Sequence, residues 1–138
     1  MKILTVRQPF ASAILASVGA KDIENRFTPI RLRGRIGIHA GKQWHEAAVD
    51  FDKQLPRGAV LGTIQLVGCH PAGAGCAAAN CHENHWANFA TENQRPIFHW
   101  ELDHPRRFVT PIKCLGALGF WTPGPSIEHL IEIAEVEA

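Results

Sequence analysis

The stretch that decides the fold lies at residues 4–42 and reads LTVRQPFASAILASVGAKDIENRFTPIRLRGRIGIHAGK. It predicts three elements in close order. Apolar residues at helical spacing, with a proline at the first turn and a glycine after the last, predict a helix over residues 9–18. A polar turn follows at residues 21–26. Alternating apolar and basic residues then predict a strand over residues 31–39.

One face of this predicted strand is basic. Leu32, Ile36 and Ile38 alternate onto the apolar face. The opposite face carries Arg31, Arg33, Arg35 and His39. Guanidinium groups are planar donors that suit phosphate oxygens. We therefore expect this face to contact phosphate, the alternative being an ordinary solvated strand face.

Three motifs follow one another in the same stretch, at residues 4–10 (LTVRQPF), 19–26 (GAKDIENR) and 33–40 (RGRIGIHA). The second contains Gly19, Lys21, Glu24 and Arg26 in the pattern G-x-K-x-x-E-x-R. Together the motifs resemble the signature of the ASCH (activating signal cointegrator homology) domains. Further matching segments are residues 55–62, 100–102 and 116–121, so the resemblance covers most of the chain except its cysteine-rich segment.

The remaining sequence predicts a mixture of strands and helices. A helix is expected at residues 44–55, and short helical segments at 77–79 and 85–90. Strands are expected at residues 59–67, 97–102, 108–114 and 118–121, before a C-terminal helix with Ser126 as its N-cap. This pattern predicts one α+β domain over residues 1–138. The resemblance implies a PUA-like, mostly antiparallel β pseudo-barrel flanked by two or three helices.

The charge of the chain is unevenly distributed. Its 138 residues carry a net charge of +1, but residues 1–42 hold eight Lys or Arg and two acidic residues, a balance of +6. A local basic patch is enough to bind an anionic partner. The sequence has no apolar run that resembles a signal peptide or a membrane span, so we expect a cytoplasmic protein.

The polar turn contains the candidate functional residues. The resemblance implies binding of RNA, another nucleic acid or a nucleoside-like small molecule in a cleft lined by Lys21, Glu24 and Arg26. A structural salt bridge within the turn is the alternative role for Lys21 and Glu24. Other candidate ligand-binding residues are Arg7 and Gln8 near the mouth of the cleft, together with His39, Gln65 and Trp121.

Two other functions are possible on this sequence. The first is a hydrolase that acts on a modified nucleoside or on RNA, with Lys21 and Glu24 as its acid–base pair. Small bacterial members of the wider ASCH group resemble amidohydrolases whose site has a Lys, a Thr three residues later and a Glu in the next long strand. This chain keeps Lys21, but it has Glu24 in place of the Thr and Gln65 in place of the strand Glu. These differences argue against that chemistry. The second is a protein-interaction module that uses the acidic residues 126–138.

A cysteine- and histidine-rich segment suggests a metal. Cys69, Cys76, Cys81 and His85 would make a closed Cys3His zinc site, with His70 and His82 close by in the sequence. The alternative is a small-residue loop with incidental reduced thiols and no cofactor. Among the tryptophans, periodicity predicts Trp44 and Trp100 in the core, and leaves Trp86 and Trp121 as residues that could line a cleft.

Overall fold

The computed structural model describes residues 1–45, 54–73, 76, 81–89 and 93–138. These residues form six strands: β1 (Ile3–Gln8), β2 (Ile23–Arg26), β3 (Gly34–Trp44), β4 (Ala59–Pro71), β5 (Phe98–Lys113) and β6 (Phe120–Trp121). They also form two α-helices, α1 (Phe10–Ile14) and α2 (Pro125–Glu137), and a 3-10 turn at Cys81–Glu83. The strands make one sheet in the order β2-β5-β4-β3-β1-β6. All neighbouring strands are antiparallel except β1 and β3. The predicted α+β class is therefore confirmed.

The sheet curls into a half-barrel. Three strands separate β2 from β1 in the sheet order, yet the Arg26 guanidinium on β2 lies 3.5 Å from the carbonyl oxygen of Thr5 on β1. The inside of the curl holds the main core, because alternate residues of the central strands point inward together with the apolar face of α1. A second core cluster consists of Ile131 on α2 and the strand residues Ile3, Val60 and Phe108.

One glycine lets two long strands approach closely. A Cβ atom added to Gly62 on β4 would meet the backbone carbonyl of Arg106 on β5 and the Leu15 side chain. The β4–β5 register shifts on either side of this position. The missing side chain at Gly62 thus allows the two backbones and Leu15 to pack closely here.

The predicted N-terminal elements need correction. The helix is confined to Phe10–Ile14, because Leu15 caps it and Val18 is 88% exposed rather than buried. The basic strand does not begin at residue 31. It begins at Gly34, whose φ is +107°, and continues to Trp44. Arg31 and Arg33 therefore precede the strand and do not share its face with Arg35.

Later elements also differ from the predictions in length. Trp44 ends β3 instead of opening a helix, and residues 46–53 of that predicted helix lie outside the described residues. The predicted strand at 59–67 continues to Pro71. The predicted strands at 97–102 and 108–114 are one continuous strand. The C-terminal helix is confirmed, although Gly124 rather than Ser126 is its N-cap.

Two further predictions concern the segment before β5. The predicted helix at 77–79 lies outside the described residues. Residues 85 and 86 form a turn, not a helix, and residues 87–89 are irregular. Within the part of the chain that the structure describes, no helix has the length and apolar character that a bilayer crossing requires.

Candidate functional site

A buried ion triad forms one end of the half-barrel interior. Lys21 is 3% exposed and Glu24 is 6% exposed. The Lys21 ammonium donates to one Glu24 carboxylate oxygen at 3.1 Å and to the backbone carbonyl of Ile23. Arg26 donates to the other oxygen through Nε at 3.0 Å and Nη2 at 2.7 Å. Both carboxylate oxygens of Glu24 are therefore occupied by cations.

These cations determine the charge of Glu24. Burial alone would raise the pKa of its carboxyl, but the charges of Lys21 and Arg26 and their hydrogen bonds outweigh burial and lower the pKa below its ordinary value. A carboxylate with a lowered pKa is a weak base. The geometry therefore suits a structural ion triad better than a proton-transferring pair.

Arg26 is the member of the triad that faces outward. Its side chain is 29% exposed, and its guanidinium lies 5.5 Å from the centre of the Trp100 ring. Trp100 in turn stacks on Phe120, with ring centres 5.7 Å apart and planes 16° apart. Among the described residues, the Nη1 atom of Arg26 makes no hydrogen bond. Glu24 thus fixes one edge of a guanidinium whose side chain is still partly exposed.

The opposite side of β2 contacts the segment before β5. Asn25 lies between Glu24 and Arg26 and points the other way, as strand geometry requires. Its amide donates to the Trp86 carbonyl at 2.8 Å, and its side-chain oxygen accepts from the Asn88 backbone amide at 2.9 Å. An open groove of 320 Å³ lies here, lined by Gly19, Ala20, Asp22 and residues 83–86. Trp86 therefore lines a groove, as predicted, although not the one beside Arg26.

The predicted row of three arginines does not form. The Arg33 guanidinium donates to the carbonyls of Ile30 and Leu32, both at 2.8 Å. Arg35 makes an ion pair of 2.5 Å with Glu135 on α2. Arg31 is exposed, in the segment before β3. Because the strand begins only at Gly34, the three side chains lie in different settings.

Two predicted ligand-binding residues, Gln8 and His39, are buried and make hydrogen bonds inside the protein. Gln8 is fully buried, and its amide bonds to the Ser12 side chain, the Ser12 backbone and the Pro56 carbonyl. His39 is 3% exposed rather than on a polar face. Its Nε2 donates to the Cys114 carbonyl at 3.0 Å, which leaves Nδ1 to accept from Thr5 at 3.4 Å. In these positions neither side chain is open to a ligand.

The remaining predicted ligand-binding residues make no hydrogen bond to the triad within the described residues. The indole of Trp121 donates to the Thr5 hydroxyl at 2.9 Å and meets the His39 ring edge-on. Gln65 is half-buried on β4, between Arg35 on β3 and Asp103 on β5. Arg7 is exposed on β1. Their roles in ligand binding stay predictions.

A second cluster brings four metal-ligand atoms together. His70, Cys76, Cys81 and His99 each offer one atom, and all four atoms lie within 4.8 Å of one another. The His70 Nε2 atom is 3.0 Å from His99 Nδ1, 3.1 Å from Cys81 Sγ and 3.4 Å from Cys76 Sγ. The Cys76 Sγ atom is 3.4 Å from His99 Nδ1. This His/Cys cluster could hold a metal ion.

Only two of the four predicted metal ligands, Cys76 and Cys81, belong to this cluster. Cys69 is opposite Trp100 in the sheet and packs against the core, so it faces away from His70. His85 is exposed and lies against Trp86. His70 and His99 take their places because they are direct cross-strand partners on β4 and β5. The alternation that places His99 on the face opposite Trp100 was visible in the sequence, but its pairing with His70 was not.

The protonation of the cluster follows from its burial. Burial raises the pKa of the Cys81 thiol to about 11, and the neighbouring Cys76 adds to the rise. Burial lowers the pKa of His99, against the opposing effect of the Asn88 carbonyl. Without a cation the cluster therefore contains a protonated Cys81 thiol and a neutral His99 imidazole.

The fold resembles solved structures of one protein. It matches ASCH from Zymomonas mobilis with a TM-score of 0.65 and 15% identity, covering 96% of this chain and 94% of that one. This chain has the ASCH fold. A tyrosine-to-phenylalanine variant of that protein matches with a TM-score of 0.61, 16% identity and 96% coverage of both chains. A serine-to-alanine variant matches with a TM-score of 0.59, 17% identity and coverage of 96% and 94%.

The match confirms the ASCH-type fold that the resemblance implied. The chain matches no protein-family model and no curated protein sequence. It also contains no tyrosine, so it offers no residue of the type replaced in the first variant. At such low identity the ASCH fold is shared, and the function has to be argued from this chain's own residues.

Proposed function

We propose that this ASCH-fold chain binds single-stranded RNA at the mouth of the half-barrel, with Arg26 as its main phosphate or base contact. The proposal rests chiefly on the guanidinium of Arg26, which Glu24 holds in place, which is partly exposed, and whose Nη1 atom makes no hydrogen bond to the described residues. An arginine fixed in this way has already lost the rotamer freedom that binding would otherwise cost.

The aromatic stack beneath Arg26 supports the same proposal. Single-stranded RNA is commonly recognised by bases that stack on aromatic rings or guanidinium planes. Here the guanidinium lies over Trp100, and Trp100 lies against the half-buried Phe120. Arg31, in the exposed segment before β3, supplies further positive charge outside the triad. The ASCH and PUA-like resemblance favours a nucleic acid over other anions.

The test is RNA affinity across a salt series for the wild type, Arg26→Lys and Arg107→Gln. Arg26→Lys keeps the charge beside Glu24 but loses the planar donors and the stacking surface. Arg107→Gln is the matched control, because Arg107 is exposed and lies nine residues along β5 from Phe98, the strand partner of Arg26. Competition by DNA of the same sequence and by free nucleotides separates the nucleic-acid ligands from a small molecule.

We expect Arg26→Lys to weaken binding about 10-fold, consistent with the loss of one good polar contact, while Arg107→Gln stays close to the wild type. Wild-type affinity should fall as salt rises. Equal losses of RNA affinity in the two variants would show that the binding surface is not centred on the triad. If the wild type shows no salt-dependent binding of RNA, the proposal is refuted. If free nucleotides compete and DNA does not, the ligand is a nucleoside-like small molecule and not RNA.

The hydrolase alternative receives no specific support from the described residues. It requires Glu24 to accept a proton, but both of its oxygens are occupied and its pKa is lowered. The structure also gives less support to a protein-interaction module that uses the acidic residues 126–138. In that segment Glu135 is buried in an ion pair with Arg35, and Ile131 on the same helix is buried in the core.

A further inference from the structure

We propose that His70, Cys76, Cys81 and His99 form a closed structural zinc site, with two imidazole nitrogens and two thiolates as its ligands. This site is independent of the RNA-binding proposal. It also differs from the Cys3His set that the sequence suggested, because only the two cysteines are common to both.

The distances between the donor atoms are the first support. A tetrahedral zinc ion with ordinary bond lengths holds two imidazole nitrogens about 3.4 Å apart, and a nitrogen and a sulfur about 3.6 Å apart. The nitrogen pair of His70 and His99 is 3.0 Å apart. Three of the four nitrogen–sulfur distances are 3.1 to 3.4 Å, and every pair of donor atoms lies within 4.8 Å. Four of the six donor–donor distances are therefore slightly shorter than one zinc ion requires, and a small outward movement of these atoms would accommodate it.

The outer nitrogens of both histidines are the second support. His70 Nδ1 lies 3.1 Å from a Glu101 carboxylate oxygen, and His99 Nε2 lies 2.7 Å from the Asn88 carbonyl. A carbonyl can only accept, so His99 carries its proton on Nε2 and presents a lone pair to the cluster. Nδ1 of His70 donates to the Glu101 carboxylate in the same way, which turns Nε2 towards the cluster. Histidines that ligate metals are oriented in this way, with the second ring nitrogen donating to a carboxylate or carbonyl.

A glycine makes room for the Glu101 carboxylate. A Cβ atom added to Gly68 on β4 would meet the Glu101 carboxylate oxygens. Gly68 and Glu101 are cross-strand partners, two residues from the His70–His99 pair. The absence of a side chain at this position therefore lets the carboxylate lie across the strand and reach His70.

Burial and charge favour a structural role. Cys76 and Cys81 are each 1% exposed and His99 is fully buried. Two thiolates neutralise a zinc ion, so the occupied site would carry no net charge among its four ligands into the interior. In the metal-free protein the two sulfurs lie against the ring nitrogens of His70 and His99. Zinc would bind the cysteines as thiolates, with release of any thiol protons, and would satisfy all four donor atoms together.

The site would fix a long connection to the sheet. His70 and His99 belong to β4 and β5, whereas Cys76 and Cys81 belong to the segment between these strands. Zinc would therefore clamp that segment onto the strands it joins. The same segment also contacts the residue before β2, because Asn84 donates to Asp22 at 2.7 Å.

The four cysteines provide a matched test. The metal content of each chain, purified in reductant without added zinc, would be measured by elemental analysis for the wild type and for single Cys→Ser variants. Cys76→Ser and Cys81→Ser remove proposed ligands, whereas Cys69→Ser and Cys114→Ser are controls with the same chemistry at cysteines outside the cluster. We expect about one zinc per chain in the wild type and controls, and loss of most of it in the two ligand variants.

Cobalt substitution keeps the test decisive where a ligand variant fails to fold. The wild type should take up Co²⁺ with the absorption bands of a tetrahedral thiolate site, and added zinc should displace them. A wild type that holds no zinc after reconstitution and shows no thiolate–cobalt band refutes the proposal. So does a Cys76–Cys81 disulfide in reductant-purified protein, or a Cys69→Ser variant that loses zinc as completely as Cys76→Ser.

Discussion

Replacing Glu24 by glutamine should destabilise the protein strongly, because the substitution leaves a buried ammonium without its counter-charge. Lys21 is 3% exposed and its ammonium lies 3.1 Å from Glu24. Removing one partner of a buried ion pair costs about 3–5 kcal/mol. Glutamine retains one acceptor oxygen, and Lys21 keeps its bond to the Ile23 carbonyl, so we expect the lower end, about 3 kcal/mol. For a chain of this size that corresponds to a decrease in Tm of about 12 °C.

The assay is thermal and urea unfolding of Glu24→Gln beside Glu132→Gln, which removes an exposed carboxylate from α2. The control should stay within about 0.5 kcal/mol of the wild type. A double variant, Lys21→Met with Glu24→Gln, should recover much of the loss, since no buried charge then lacks a partner. If the melting temperature of Glu24→Gln matches that of Glu132→Gln, the ion triad is not a structural element and the catalytic interpretation regains support.

The pH dependence provides a separate check on the same triad. The folded-state pKa of Glu24 is lower than its ordinary value of 4.5. Its stabilising contribution should therefore be complete above about pH 4.5 and be lost as the pH falls through the folded pKa. Glu24→Gln lacks this group, so the stability difference between wild type and variant should shrink in acid. A difference that grows as the pH falls would contradict the direction of the shift.

Two more outcomes follow from individual contacts. Gly68→Ala should displace the Glu101 carboxylate from His70. Both this variant and Glu101→Gln should therefore bind zinc about 10- to 100-fold more weakly in a competition with a chelator. Unchanged zinc affinity in both variants would show that the hydrogen bond from His70 to Glu101 does not support the site. Arg35→Ala should lower the free energy of unfolding in urea by about 1–2 kcal/mol, because it removes the half-exposed cation that pairs with the buried Glu135 carboxylate. One oxygen of that carboxylate already lacks a partner among the described residues. An unchanged free energy of unfolding would mean that the ion pair is weak.

The local sequence pattern predicted the strands better than their ends. Strand β4 has a β-branched, apolar run and was found, and the alternation at residues 98–102 identified the start of β5. The continuity of β5 through residues 103–107 was missed, because charged residues and Pro105 resemble a turn. The sheet supplies the missing signal, since β4 pairs with β5 along almost its whole length. That pairing is a long-range property that no local window contains.

The same limitation explains why the sequence predicted only half of the His/Cys cluster. Local reasoning found Cys76 and Cys81 but chose Cys69 and His85 with them, because these residues are near in sequence. His99 follows His70 by 29 positions, yet their strands place them directly opposite each other. Cys69 is next to His70, but strand alternation turns it toward the core. Ligand choice therefore depended on strand register, which the sequence alone did not determine.

The motif around the polar turn shows why residue identity did not establish the role. A general base needs an accessible oxygen and a pKa near the working pH, whereas Glu24 has two occupied oxygens, 6% exposure and a lowered pKa. Its buried carboxylate instead has a structural role, because it pairs with the buried Lys21 ammonium and holds the partly exposed Arg26 guanidinium in place. Lys21 and Glu24 would then affect a ligand only through the position of Arg26. In the proposed function, direct contact with the ligand would come from Arg26, because it is the most exposed side chain of the triad.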